Sequence, residues 1–242
     1  MRIVEIKDLV FKYPSSGGRF VLNVPAFSVE AGESVALLGE SGSGKSTLLK
    51  IMALLESGFS GSLELFGCFS PDVSAAPALA SLARRPGAGD AVQHTPGGNS
   101  RLDIIRKMAF LFQDAPMFYG DVFENVAIGL RIRGEKKDDI VRKVKNALEI
   151  LNISDLERCD SREISGGQAR RVCMARAIAL EPEILFLDEP FYSVDNPTKH
   201  EIMRDFKKYL SNSRCAMVLV THDRNEALSL CGRIAVMKRG SI

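Results

Sequence analysis

One run of eight residues constrains this chain more than any other: Gly39-Glu40-Ser41-Gly42-Ser43-Gly44-Lys45-Ser46, the pattern G-x-x-x-x-G-K-[ST]. The apolar run at 34–38 reads as a buried strand, and residues 47–55 read as helix. Strand, glycine loop, helix is the context a phosphate-binding loop requires. Its glycines let successive N–H groups converge on phosphate oxygens, and the helix N-terminus adds its positive dipole end. Lys45 supplies a full charge, and the Ser46 hydroxyl is the natural ligand for Mg²⁺. Gly39, Glu40, Ser41, Gly42, Ser43, Gly44, Lys45, Ser46 and Thr47 are the candidate nucleotide-binding set.

A second element supports the first. Ile184-Leu185-Phe186-Leu187-Asp188-Glu189-Pro190 is an apolar strand ending in two adjacent carboxylates. Consecutive side chains at a strand end point in different directions, so the two acids can divide the work. Asp188 is assigned to Mg²⁺, and Glu189 to the attacking water as general base. Between the two elements, Ile164-Ser165-Gly166-Gly167-Gln168 precedes a predicted helix at 169–180, a further glycine loop at a helix start.

Composition narrows the class. With 32 Lys plus Arg against 30 Asp plus Glu, the formal net charge is +2, which disfavours a basic nucleic-acid face. No apolar run approaches the ~20 residues needed to span a bilayer, and acids within residues 1–8 argue against a signal peptide. The five cysteines (Cys68, Cys159, Cys173, Cys215, Cys231) are scattered singly, as expected for buried thiols in a reducing compartment.

Along the chain, strand-like alternation at 3–6 and 9–13 is broken at 14–18, and a second run at 20–29 ends in a turn at 30–33. Residues 68–100 are rich in Ala, Pro, Gly and Ser and read as a surface insertion with a short helix at 78–84. A strand at 108–112 follows, then a helix at 138–151 with Ile140, Val144, Ala147, Leu148 and Leu151 on one face. The last third alternates strand (184–187, 216–220, 234–237) with helix (198–210, 224–230), the signature of a parallel sheet covered on both faces.

In this order, the motifs resemble those of the ATP-binding subunit of an ABC transporter, over nearly the whole chain outside the insertion. The resemblance implies a P-loop NTPase core with a mainly parallel sheet, an N-terminal antiparallel β subdomain and a helical subdomain. Residues 1–242 then form a single domain, its core lobe at about 1–112 and 182–242 and its helical subdomain at about 113–181. It implies ATP and Mg²⁺ as ligands, with Tyr13 stacking on adenine and Gln113 reaching Mg²⁺ and the attacking water. Ser193-Val194-Asp195 is similar to the loop that passes between paired subunits, and His222 to the histidine that contacts the γ-phosphate. Ser165, Gly166, Gly167 and Gln168 would grip ATP held by a second copy, so the partners implied are a homodimer or pair of ABC subunits. Membrane permease subunits and a solute-binding protein complete the expected assembly, with no nucleic acid. The expected location is cytoplasmic, on the inner membrane face through the permease, which would dock near Phe118, Tyr119 and Val122.

Phe191 after Asp188-Glu189-Pro190 resembles importers of oxyanions, polyamines or organic solutes, with tungstate or molybdate as first expectation for cargo. An exporter subunit, or an ABC ATPase acting on DNA or ribosomes, is the alternative. The signature here begins with Ile164 where the family usually has Leu. The insertion is longer than usual by about twenty residues, and the chain ends at Ile242 without room for an accessory domain.

Overall fold

A computed structural model describes residues 1–13, 21–69 and 101–242. The break expected at 14–18 and the short helix expected at 78–84 lie outside the described residues.

Two sheets carry the architecture. Strands β1 (Arg2–Phe11), β2 (Leu22–Glu30), β4 (Ser60–Leu65) and β5 (Cys68–Phe69) form an antiparallel sheet in the order β2-β1-β4-β5. The alternation expected as two strands is one strand, β1, irregular at Asp8, whose φ is 50°. There the pairing with β4 shifts register between Lys7 and Val10. Such a bulge twists the strand and interrupts its in–out pattern, which is why the sequence reads as two pieces. Strand β4 was not anticipated, because Gly61 and two serines dilute its apolar pattern.

The second sheet is parallel, in the order β6-β7-β8-β3-β9. Its strands are β3 (Ser34–Leu38), β6 (Met108–Leu111), β7 (Ile184–Asp188), β8 (Ala216–Thr221) and β9 (Arg233–Val236). Every residue of β7 and β8 is buried, as continuous apolar strands predict. Alternate side chains enter different cores. Ile184, Phe186, Val218 and Val220 join the core shared with the antiparallel sheet and α1 (Lys45–Met52), whereas Leu185, Leu187, Met217 and Leu219 join the helical core.

That second core is built by α3 (Val122–Ile132), α4 (Lys137–Ile150), α5 (Gly166–Ile178) and α6 (Asn196–Asn212). Helix α2 (Arg101–Arg106) precedes β6, and α7 (Arg224–Leu230) follows β8. Helix α1 stops at Met52, three residues before the apolar run ends. Leu54 adopts φ 59°, and the N–H groups of Leu55 and Glu56 both reach the Lys50 carbonyl. The side chain of Leu54 is buried, which offsets the cost of a left-handed residue that is not glycine.

Because β6, β7, β8 and β3 are parallel neighbours, their C-terminal ends lie along one edge of the sheet. Gln113, Asp188 with Glu189, His222 and the 39–46 loop therefore line up there, although more than 180 residues separate them in sequence. Ligands of open parallel sheets bind at this edge.

Candidate functional site

A cleft of about 440 Å³ opens at that edge, lined by Tyr13, Ser41, Gly42, Gly44, Lys45, Ser46, Thr47, Gln113 and Glu189. Gly44 takes φ 105°, a conformation L residues avoid, and caps α1 with no side-chain hydrogen bond. The helix thus begins with uncapped N–H groups beside the cleft, the arrangement that attracts phosphate. Lys45 curls back to donate to the carbonyls of Gly39 (2.8 Å) and Glu40 (2.9 Å), which uses two of its three N–H donors. Burial lowers its pKa, against the pull of the Glu189 and Asp188 charges. The Ser43 hydroxyl is buried and has no partner among the described residues, an orphan donor within the loop.

The acids meet this loop from β7. Ser46 donates to Asp188 Oδ1 at 2.8 Å. Burial raises the pKa of Asp188, and the Ser46 hydrogen bond opposes that shift. A hydroxyl and a carboxylate in contact, with the Gln113 amide in the same cleft, are a hard-oxygen donor set of the kind Mg²⁺ takes alongside phosphate oxygens. Among the described residues no group of three or more His, Cys, Asp or Glu is arranged to hold a metal without such a ligand.

Glu189 Oε2 lies 2.9 Å from His222 Nδ1. Glu189 itself has φ 46°, a strained value for a non-glycine residue. Three contacts hold it: its N–H donates to the Val220 carbonyl (3.0 Å), and its carbonyl accepts from Tyr192 N–H (3.1 Å) and Arg170 Nη2 (2.9 Å). His222 is flanked by anchored neighbours. Thr221 donates to Glu226, Asp223 caps α7 by accepting from Asn225 N–H at 2.8 Å, and Lys199 binds Asp223 (2.9 Å) and Glu226 (3.1 Å).

Tyr13 stands at the rim, its hydroxyl 3.4 Å from Thr47 Oγ1 and its ring packed edge-on against Phe11. Ser165, Gly166, Gly167 and Gln168 do not line this cleft. They open α5 on the exposed side of the helical region, where Ser165 and Gln168 form a reciprocal capping box. A Cβ on Gly167 would lie 2.7 Å from Thr198 Cγ2, so glycine is required for α6 to pack against the start of α5. Ser193, with φ 60°, and Asp195, which caps α6 by accepting from Thr198 N–H, form the turn between β7 and α6. His200 Nδ1 lies 2.7 Å from the Asn196 carbonyl within its own helix.

Residues 22–192 match the family described as ABC transporter. The chain belongs to the ABC transporter family. Among curated relatives, a sulfate/thiosulfate import ATP-binding protein of Rhizobium meliloti (strain 1021) is 36% identical over 231 residues, covering 93% of this chain and 55% of that protein. The chain therefore spans little more than half the length of the curated relatives it matches. Among solved structures, a part of an ABC transporter complex from Clostridium perfringens has a TM-score of 0.77 at 24% identity, covering 99% of this chain and 86% of that one. A dimeric ATP-binding cassette in a post-hydrolysis state, bound to ADP and Pi, has a TM-score of 0.76 at 24% identity, covering 99% of this chain and 96% of that one. These structures share the fold, an α/β cassette of the expected class.

Sequence reasoning missed three residues that organise this ABC domain. Arg170, Arg176 and Asn125 bind backbone around the cleft and in the 112–121 segment. An Arg-rich helix start looks like a solvated face, and only the apolar residues on every side of α5 hint that its arginines are enclosed.

Proposed function

We propose that this domain binds and hydrolyses ATP, in a pair of ABC subunits that drives import of an oxyanion through separate membrane subunits. The observation that carries the reading is the Glu189–His222 contact at 2.9 Å, set beside Ser46–Asp188 at 2.8 Å and the uncapped phosphate loop. Tyr13 binds the base at the rim, while Lys45 and the loop N–H groups hold the phosphates. Ser46, Asp188 and Gln113 would hold Mg²⁺, which supplies charge neutralisation at the phosphate oxygens. Glu189 orients and deprotonates the attacking water, and His222 fixes the carboxylate and meets the γ-phosphate. Ser165 and the Gly167 N–H act on ATP bound to the partner copy.

Import, not export, is favoured by the printed names of the relatives, which are sulfate/thiosulfate importers. They favour sulfate or thiosulfate over the tungstate or molybdate suggested by Phe191, although all four are oxyanions. The domain sits at the inner membrane face through its permease; among the described residues no helix is long and apolar enough to cross a membrane. Exposed Phe118 and Tyr119 form the permease contact; Val122, expected beside them, is instead buried in the helical core and takes no part in it.

The test is phosphate release by the wild type and Glu189→Gln, with size-exclusion analysis in ATP. The variant is expected to lose about 100-fold or more in hydrolysis while forming an ATP-dependent dimer. A fully active variant, or one that never dimerises, overturns the mechanism. Uptake of labelled sulfate by the assembled complex, resistant to excess molybdate, is the expected cargo result.

A further inference from the structure

Helix α5 lies along the 112–118 segment and binds it through one row of side chains spaced three apart. Arg170 Nη1 donates to the carbonyls of Gln113 (3.0 Å) and Phe112 (3.4 Å). Cys173 Sγ approaches the Ala115 carbonyl at 3.5 Å, and Arg176 Nη1 donates to the Pro116 carbonyl at 2.9 Å. Arg170 is distinct within the row because its remaining nitrogens reach the other side of the cleft. Nε donates to the Pro190 carbonyl, and Nη2 donates to the Glu189 carbonyl at 2.9 Å.

One guanidinium thus binds four backbone carbonyls on two chain segments, and among the described residues its hydrogen bonds include no carboxylate. The residue is 8% exposed. Burial pulls its pKa down, the mark of a cation held by dipoles in place of water. Packing alone would be met more cheaply by an apolar side chain of similar volume. What a planar five-donor fork adds is fixed geometry between the groups it bridges. One bridged segment carries the Gln113 side chain and the other the Glu189 carboxylate, which line the same cleft. Glu189 is also the residue held at φ 46°.

We propose that Arg170 is a positioning residue, whose guanidinium sets the separation and orientation of Gln113 and Glu189 and ties both to the signature loop two residues before it on the helix. The role rests on Glu189 and Gln113 acting in ATP hydrolysis. Arg170 does not line the cleft; it acts through the backbone of Gln113 and Glu189, which do. It also gives the signature loop a rigid route to the hydrolytic groups of its own protomer, so a shift of α5 is felt at Glu189 without any contact between the Ser165 loop and that carboxylate.

Arg170→Lys and Arg170→Ala test this in the full-length chain. Lysine keeps the charge but cannot span both segments with fixed geometry. Its kcat for ATP hydrolysis is expected to fall about 10–100-fold, the effect of misplacing a reacting group by about 1 Å, while KM for ATP stays within about twofold. The alanine variant is expected to fall further and to regain part of its kcat with millimolar ethylguanidinium but not with ethylammonium. A role in stability alone would lower the melting temperature and leave kcat per folded molecule unchanged, and that result overturns the proposal. The lysine variant carries the decision if the alanine variant does not fold. Glu189→Gln is measured in parallel. If it keeps full hydrolysis, the catalytic reading fails; if it is inactive while Arg170→Lys matches the wild type, only the role of Arg170 fails.

Discussion

Two glycine loops open two helices in this protein, and they are built on opposite principles. The loop before α1 ends in Gly44, leaves its helix without a side-chain cap, buries Lys45 and encloses a Ser43 hydroxyl without a partner among the described residues. The loop before α5 is exposed at Ser165 and Gly166 and satisfies itself. There the Ser165 hydroxyl accepts from Gln168 N–H at 3.3 Å, and the Gln168 amide accepts from Ser165 N–H at 2.8 Å. Only the N–H groups of Gly166 and Gly167 fall outside that box. The first loop leaves its polar groups open, as the proposed phosphate receptor requires. The second is a self-satisfied helix start, whose ligand, on the function proposed above, would be brought to it by a second copy.

The largest expected effect separates the two loops directly. Lys45→Ala removes the buried cation within the phosphate loop, so ATP affinity of the isolated chain is expected to fall about 100-fold, some 3 kcal/mol. Ser165→Arg sits outside the cleft and should leave that affinity within about twofold while abolishing ATP-dependent dimerisation and turnover. Titration with a fluorescent ATP analogue, paired with light scattering, reads both. If Ser165→Arg weakens monomer binding as much as Lys45→Ala does, the division of labour between the loops is wrong.

The asymmetry also explains what was legible in advance. Both loops were visible as motifs, because a loop that must cradle phosphate restricts residue types at fixed spacing. The parallel strands were visible because β7 and β8 are apolar up to their last residues, Asp188 and Thr221. Strand β4 and the continuity of β1 were not, since glycine, serine and a bulge at Asp8 erase the period-two pattern that identifies a strand. Helix α3 was not anticipated, although Asp121, which accepts from Glu124 N–H at 2.7 Å, is a readable cap. The site's supporting shell was least legible. Arg170 and Asn125 bind backbone carbonyls, and beyond the apolar residues on every side of α5 the linear sequence gives no sign that its arginines are buried.

If the first loop's surroundings are costly, neutralising them must stabilise the apo domain. Asp188 is buried and its pKa is raised by that burial, so the folded state holds this proton more tightly than the unfolded chain does. Its charge therefore costs stability once pH has risen above the folded pKa, and costs nothing below the unfolded value. Asp188→Asn keeps an oxygen for the Ser46 hydrogen bond and removes the charge. Its melting temperature at pH 7 is expected to rise above that of the wild type, although hydrolysis is expected to be lost. The gain should shrink to nothing as pH falls toward the ordinary Asp range. A variant less stable than wild type at pH 7, or a gain that persists in acid, would show that Asp188 is not a stored cost.

The second loop predicts the opposite sign. Gln168→Ala removes half of the capping box and leaves Ser165 to cap α5 alone. The loss is about 0.5 kcal/mol, or roughly 1–2 °C in melting temperature. Nucleotide binding by the isolated chain should not change, because no residue of this loop lines the cleft. The pair of signs is more informative than either value. A variant at position 188 that gains stability, and one at 168 that loses it, would mean that the two helix starts have been tuned against each other: one holds open a site that costs the fold, and the other anchors the surface that closes over it. If both variants shift in the same direction, the phosphate loop is no more burdened than an ordinary helix start. Its uncapped end would then be a matter of geometry alone.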